Sequence, residues 1–239
     1  MIILSASSLA LFNECPRCFY LQVKEGVRRP QGIPMPLYNK MDFLVKDYFD
    51  GFRAKGELPP QLEGLVEGKL FDNQELLRKW RNWRTGLNFI DKKVPIRRAN
   101  RGSSISLSDI GTGAKLVSAL DDCLVSEDNR FLPLDYKSKG EIRDDSHIFH
   151  QNQLNIYTWL LDENGYPTKD VGYLVFFAPL EILNDNLIKF NIIPKRIETS
   201  KDSAKELFYK AVNLLAGPMP VKHENCDYCR WIDECSLND

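Results

Sequence analysis

A chain of 239 residues, 43% hydrophobic and 27% charged, can bury one substantial core. Its formal net charge of −1 supplies no global attraction to a polyanion, so nucleic acid would have to be met by local cations or bound metal. No apolar run approaches the ~20 residues of a membrane span. The opening Ile2-Ile3-Leu4 is too short and lacks the basic flank of a secretory signal, so the expected compartment is the reducing cytoplasm.

Ser5 to Cys18 predicts a helix that Ser7 or Ser8 can cap, with Leu9, Leu11, Phe12 and Phe19 as apolar contacts. The Pro- and Gly-rich stretch from Gly26 to Pro36 reads as loop. Leu37 to Arg53 predicts a second helix, its apolar face made by Met41, Leu44, Val45, Tyr48 and Phe52. A loop from Gly56 to Gly68 leads into Arg78-Lys79-Trp80-Arg81-Asn82-Trp83-Arg84, where cations alternate with two indoles. Such interleaving suits a single strand, whose bases stack on aromatics while its phosphates meet cations. The favoured reading is plainer: Leu76, Leu77, Trp80, Trp83, Arg84 and Leu87 form the apolar stripe of an amphipathic helix with a solvated basic face. A second basic cluster, Lys92, Lys93, Arg97, Arg98 and Arg101, surrounds Pro95.

The pattern then changes to strands at 93–98, 104–107, 114–126 and 130–138, broken by Gly102, Gly111, Gly113 and the turn Glu127-Asp128-Asn129. A helix from Phe149 to Asn164 stops at Gly165. Strands at 171–179 and 187–193 follow, and Ser200 or Ser203 opens a last helix running to Leu215. Helices flank strands throughout, so the expected fold is α/β: a mixed central sheet between helices, one domain over 1–239 with a helical insertion at 55–92.

The cysteines tie the two ends together. Cys226, Cys229 and Cys235 fall in one short stretch and call for a fourth thiol from afar, Cys15. Cys15-Pro-Arg-Cys18 is itself a C-x-x-C and could instead join Cys226 and Cys229 as a four-thiolate zinc site. Segments 1–20 and 220–239 are thus expected to form one cysteine lobe around metal, either zinc or iron–sulfur. Cys123, in an apolar run, reads as a buried free thiol.

Chemistry concentrates in the central strands. In Phe131-Leu-Pro-Leu-Asp135-Tyr136-Lys137, alternation puts Leu132, Leu134 and Tyr136 on one face and Asp135 and Lys137 on the other. One strand earlier, Asp121 and Asp122 sit inside an apolar run, where an unpaired carboxylate would be costly, so a metal or a cation is expected beside them. Parity cannot choose between the two. If the 127–129 turn makes these strands a hairpin, one of the acids lies near Asp135, and two carboxylates with a lysine can hold Mg²⁺ or Mn²⁺ for phosphodiester hydrolysis. Gln153 and Tyr157, spaced i,i+4, share one face of the next helix.

The ordered set Cys15, Asp121, Asp135-Tyr136-Lys137, Gln153-x3-Tyr157 and Cys226-x2-Cys229-x5-Cys235 resembles the RecB-like branch of the PD-(D/E)XK nuclease superfamily. It is especially similar to CRISPR adaptation exonucleases and to the nuclease domains of AddB-type helicase–nucleases. The resemblance implies a restriction-endonuclease-like core and a metal-dependent DNA nuclease, a single-strand-directed exonuclease. It implies Asp121 and Asp135 as ligands of Mg²⁺ or Mn²⁺, with Tyr136 lending its carbonyl. Lys137 would be the catalytic lysine, and Gln153 and Tyr157 would orient the DNA end. Cys15, Cys226, Cys229 and Cys235 would hold a [4Fe–4S] cluster, leaving Cys18 spare. Relatives carry a histidine on the first core helix; here His147, His150 and His223 lie elsewhere, and Asp42 aligns near that place, with Asp47 a turn further on. A carboxylate can replace imidazole on either ion. The partners implied are single-stranded or free-ended DNA and a protein complex of repair or CRISPR adaptation. The competing class is a catalytically impaired iron–sulfur or zinc module that only binds nucleic acid or protein.

Overall fold

The computed structural model describes residues 1–30, 32, 36–97, 110–143, 145, 147, 150–184 and 186–236, without the side chains of 93–97, 110–112 and 233–236. The strand expected at 104–107 lies outside the described residues. Where the sequence suggests one domain, the chain divides into two compact units, 1–32 with 88–117 and 205–239, and 33–87 with 118–204.

In the first unit, β1 (Ile2–Ser5) runs parallel to β4 (Ile110–Ser118), with Ile2 opposite Ala114, and β3 (Leu87–Arg97) completes a sheet of order β1-β4-β3. α1 (Ala6–Glu14) is capped by Ser5 rather than by Ser7 or Ser8. Ser8 stands at the third helical position instead, and the two serines close a reciprocal box: the Ser8 amide donates to Ser5 Oγ (3.2 Å) and the Ser5 amide to Ser8 Oγ (2.7 Å). The expected single helix is two helices. Cys15 turns extended, ends α1 and caps α2 (Pro16–Tyr20), whose Pro16 fills a first-turn position where a missing N–H costs nothing. A π-turn, Leu21–Glu25, follows and ends at Gly26, whose φ of 73° suits glycine. Phe208 of α6 (Lys201–Ala216) packs edge-on against Phe89 of β3. α7 (Asp227–Ser236) carries the last cysteines.

The second unit holds a five-stranded sheet in the order β2 (Lys69–Leu70), β5 (Asp122–Val125), β6 (Phe131–Ser138), β7 (Val171–Ile182), β8 (Ile188–Glu198). β5 and β6 form the expected antiparallel hairpin, with Asp122 opposite Leu134. β6 and β7 are parallel, joined through α5 (Gln151–Glu163), and β8 returns antiparallel to β7. One face buries Leu132, Leu134 and Tyr136 with Val45 and Phe49 of α3 (Pro36–Arg53). On the other, Gly172 lets Pro133 and Leu154 close in; a Cβ there would lie 3.1 Å from one and 3.3 Å from the other. The sheet therefore lies between α3 and α5, and β6 sends alternate residues to each.

Three expectations need correction. The predicted strand 114–126 is two strands, because the chain leaves one sheet after Ser118 and enters the other at Asp122. The 55–92 segment is not a helical insertion: only α4 (Gln74–Arg81) is helical, while β2 pairs with β5 and β3 joins the other sheet. α4 also ends before Trp83, so Leu77 and Trp80 are buried while Trp83 is 69% exposed.

Candidate functional site

The break between β4 and β5 gives the two neighbouring acids different surroundings. Asp122, on the ladder, points into the core and is fully buried. Arg53 and Arg81 pair with its Oδ2, the Tyr136 hydroxyl donates to the same oxygen, and the Cys123 amide donates to Oδ1 at 2.7 Å. Burial pushes its carboxyl up, against the pull of the two guanidinium groups. It is a structural anchor. Asp121, one residue earlier, falls level with Asp135, and the Tyr136 amide reaches its Oδ2 at 3.4 Å. Its side chain is 21% exposed, whereas that of Asp122 is fully buried.

Asp135 lies on β6 with only 1% of its surface exposed. Burial, with the neighbouring Asp121 charge, raises its carboxyl to about 7, although Lys137 pulls the other way. Lys137 Nζ lies 2.5 Å from Asp135 Oδ2 and donates to Gln153 Oε1 at 2.9 Å. Gln153 Nε2 donates to the Tyr157 hydroxyl at 2.6 Å, and that hydroxyl faces Asp135 Oδ1 at 3.4 Å. The D-x-K of a strand and the Q-x3-Y of a helix thus close one ring of polar contacts. Burial and the two acids push the Tyr157 phenol well above its ordinary value, so it remains a donor.

α3 completes the site with residues that sequence reasoning only half found. Asp42 is there, but through Lys46, whose ammonium touches Asp42 Oδ2 at 2.8 Å and Asp121 Oδ1 at 3.0 Å. Burial draws the Lys46 pKa down, yet Asp121 and Asp42 outweigh it and the net shift is upward. The i,i+4 spacing of Asp42 and Lys46 was the available signal. Asp47 is exposed. His150 is driven to about 4 by burial and by Lys137 and Lys139, so it is neutral near pH 7.

In the first unit, Cys15, Cys18, Cys226 and Cys229 bring their sulfurs within 4.8 Å of one another. Contacts are 3.7 Å for Cys15–Cys229, 3.7 Å for Cys18–Cys226 and 4.0 Å for Cys18–Cys229. Cys18, spare under the resemblance but a ligand in the zinc alternative, is in the group because α2 starts at Cys15 and its first turn returns the Cys18 amide to the Cys15 sulfur. The side chain of Cys235 lies outside the described residues. Arg29 donates to Cys226 Sγ at 3.4 Å. Cys123 is a buried free thiol, as its apolar run suggests.

A family model of the PD-(D/E)XK nuclease superfamily matches residues 3–236. The chain belongs to that superfamily. No curated protein matches it. The crystal structure of SSO0001 aligns over 98% of this chain and 86% of its own, at 16% identity and a TM-score of 0.43, a likeness too distant to speak to activity. PD-(D/E)XK proteins are in the main phosphodiesterases that act on nucleic acid with a divalent metal, and this chain's mixed sheet flanked by helices is consistent with their restriction-endonuclease-like fold.

The residues present fit such an ion. Asp121 and Asp135 offer hard oxygens at one place, and the buried Asp135 Oδ2 has no hydrogen-bond partner beyond the lysine charge beside it. Asp42 is within reach of the same cluster through Lys46. When bound, a divalent ion supplies a water of lowered pKa and neutralises charge on the phosphate. The chain itself holds Asp135 by Tyr157 and Lys137 by Gln153. The four thiols fit a thiophilic metal, and spacings of 3.7–4.0 Å suit sulfurs sharing one tetrahedral ion. No described helix is long and apolar enough to cross a membrane.

Proposed function

We propose that this chain is a Mg²⁺- or Mn²⁺-dependent DNA nuclease that degrades single strands from a free end, in repair, recombination or CRISPR adaptation. The observation that carries this reading is the closed ring of Asp135, Lys137, Gln153 and Tyr157 with Asp121 beside it. Asp121 and Asp135 serve as metal ligands, with Asp42 and the Tyr136 carbonyl as further oxygens. Lys137 is the catalytic lysine, and Gln153 and Tyr157 position it and the substrate end. Cys15, Cys226, Cys229 and Cys235 hold a [4Fe–4S] staple, on the strength of the resemblance to the cluster-bearing branch of the superfamily. The sulfur distances support a second reading, zinc on Cys15, Cys18, Cys226 and Cys229.

The test is digestion of end-labelled single-stranded DNA with Mn²⁺, with duplex DNA and RNA as comparison arms. Lys137→Ala is expected to slow cleavage by roughly 10²–10³-fold. Equal rates would sink the catalytic assignment. Lys46, already seated between Asp42 and Asp121, favours one competing reading, a binding module without catalysis. That module would retain DNA yet cut nothing in any metal.

A further inference from the structure

The alternation of cations and indoles at 78–84 divides into two parts with different surroundings. Trp80 belongs to the core, 3% exposed and stacked on Phe71 with ring centres 5.1 Å apart. Trp83 lies beyond α4 and stands in solvent. Asn82 leaves the helix with extended backbone, ψ 122°, and its side chain accepts the Arg84 amide at 2.8 Å, which fixes the turn presenting the indole. The Arg84 guanidinium sits 4.8 Å from the centre of the Trp83 ring. Arg78, Arg81, Asn82, Trp83 and Arg84 line an open concavity of about 380 Å³.

Helix stability accounts for part of this charge. Arg78, Lys79 and Arg81 are in the last turn of α4, where cations complement the helix dipole, and Lys79 is paired with Glu75 at 2.9 Å. Arg84 and Trp83 lie past that turn and gain nothing from it. Arg81 is paired with Asp50 and Asp122, and no acidic residue occurs from Leu76 to Ile90, so the positive charge of the concavity comes from Arg78 and Arg84.

Three ties press this loop against the segment that delivers Asp121. Arg81 Nε donates to the Asp121 carbonyl at 2.7 Å, and the Leu120 amide donates to the Trp80 carbonyl at 3.0 Å. Gly86 approaches Ser118 so closely that a Cβ would lie 2.3 Å from its carbonyl oxygen. The exposed indole is therefore carried on the same framework as a proposed metal ligand.

We infer that Trp83, flanked by Arg84 and Arg78, is a stacking platform for one unpaired base of the DNA strand held at the carboxylate site, an inference that rests on the nuclease reading above. An indole face with guanidinium groups around it recognises a base and its phosphates without reading sequence. It favours single strands, because in a duplex both faces of each base are already stacked.

The experiment uses the whole chain carrying Lys137→Ala, in chelator, with single-stranded oligonucleotides bearing 2-aminopurine at successive positions. Quenching is expected at one position and is lost on adding Trp83→Ala, with binding weakened about tenfold. Trp83→Phe restores part of both, and an abasic nucleotide at the quenched position costs the Trp83 protein the same factor but the Trp83→Ala protein nothing further. Unchanged affinity in Trp83→Ala, or quenching that survives it, overturns the platform, as does failure of the Trp83 protein to bind single strands. The thermal unfolding midpoint, expected to be unmoved at so exposed a position, checks the fold of the variant. The parent protein is assayed in parallel with Mn²⁺. Cleavage with an unchanged KM in Trp83→Ala leaves the nuclease reading and removes the platform; Trp83-dependent quenching with no cleavage by the parent does the reverse.

Discussion

Asp135 carries two opposed demands. A carboxylate buried to this degree and raised to about 7 from 3.8 holds a proton in the folded metal-free protein that it would release on unfolding near neutral pH. Its folded value is the higher one, so its contribution is complete below pH 3.8 and is lost as pH climbs toward about 7. Asp135→Asn should therefore stabilise the metal-free protein by about 2–4 kcal/mol at pH 8, with the gap closing toward pH 4, while abolishing cleavage. Urea unfolding of both proteins in chelator across that range measures it; a gap that does not change with pH would refute the burial argument. The D-x-K alternation and the Q-x3-Y spacing were legible because each follows from one local period. The preference for Asp121 over Asp122 came from the family resemblance and not from a local period. Both faces of that strand are apolar in sequence, and what separates the two acids is a chain break held by Arg81 from 40 residues away.

At the scale of elements, Asp122 joins α3, α4, β5 and β6 through Arg53, Arg81 and Tyr136. Arg81 also pairs with Asp50 at 2.7 Å, so the network returns to α3. Removing its central acid leaves two guanidinium groups without their buried partner. Asp122→Ala should cost about 3–5 kcal/mol, read as a lowered urea midpoint, whereas Asp121→Ala should leave that midpoint nearly in place. Equal losses would mean that the two acids are not divided between support and chemistry. Helix and strand positions were largely readable from periodicity. The split at Cys15 was missed because Ser5 offers the better cap and an extended cysteine ends the helix early. Lys46 was missed because a lysine four residues from an acid is an ordinary surface pair until the fold adds Asp121 to it.

At the scale of the molecule, sequence foresaw a cysteine lobe and offered two ligand sets for it, and the sulfurs brought together are those of the zinc alternative, Cys15, Cys18, Cys226 and Cys229. Anaerobic purification with metal analysis and a visible spectrum of Cys18→Ser and Cys235→Ser distinguishes the two proposed ligand sets. Colourless protein losing zinc in Cys18→Ser alone supports the quartet; a visible chromophore lost in Cys235→Ser and kept in Cys18→Ser supports the iron–sulfur staple. The Cys18–Cys226 contact spans 208 residues of chain. During vectorial synthesis, Cys18 thus waits roughly 10–40 s for its partner to be translated, at ordinary elongation rates of about 5–20 residues per second. Residues 33–204, which hold the carboxylates and Lys137, have all been polymerised by then, so a metal ion held by all four thiols could be bound only after that unit has been synthesised.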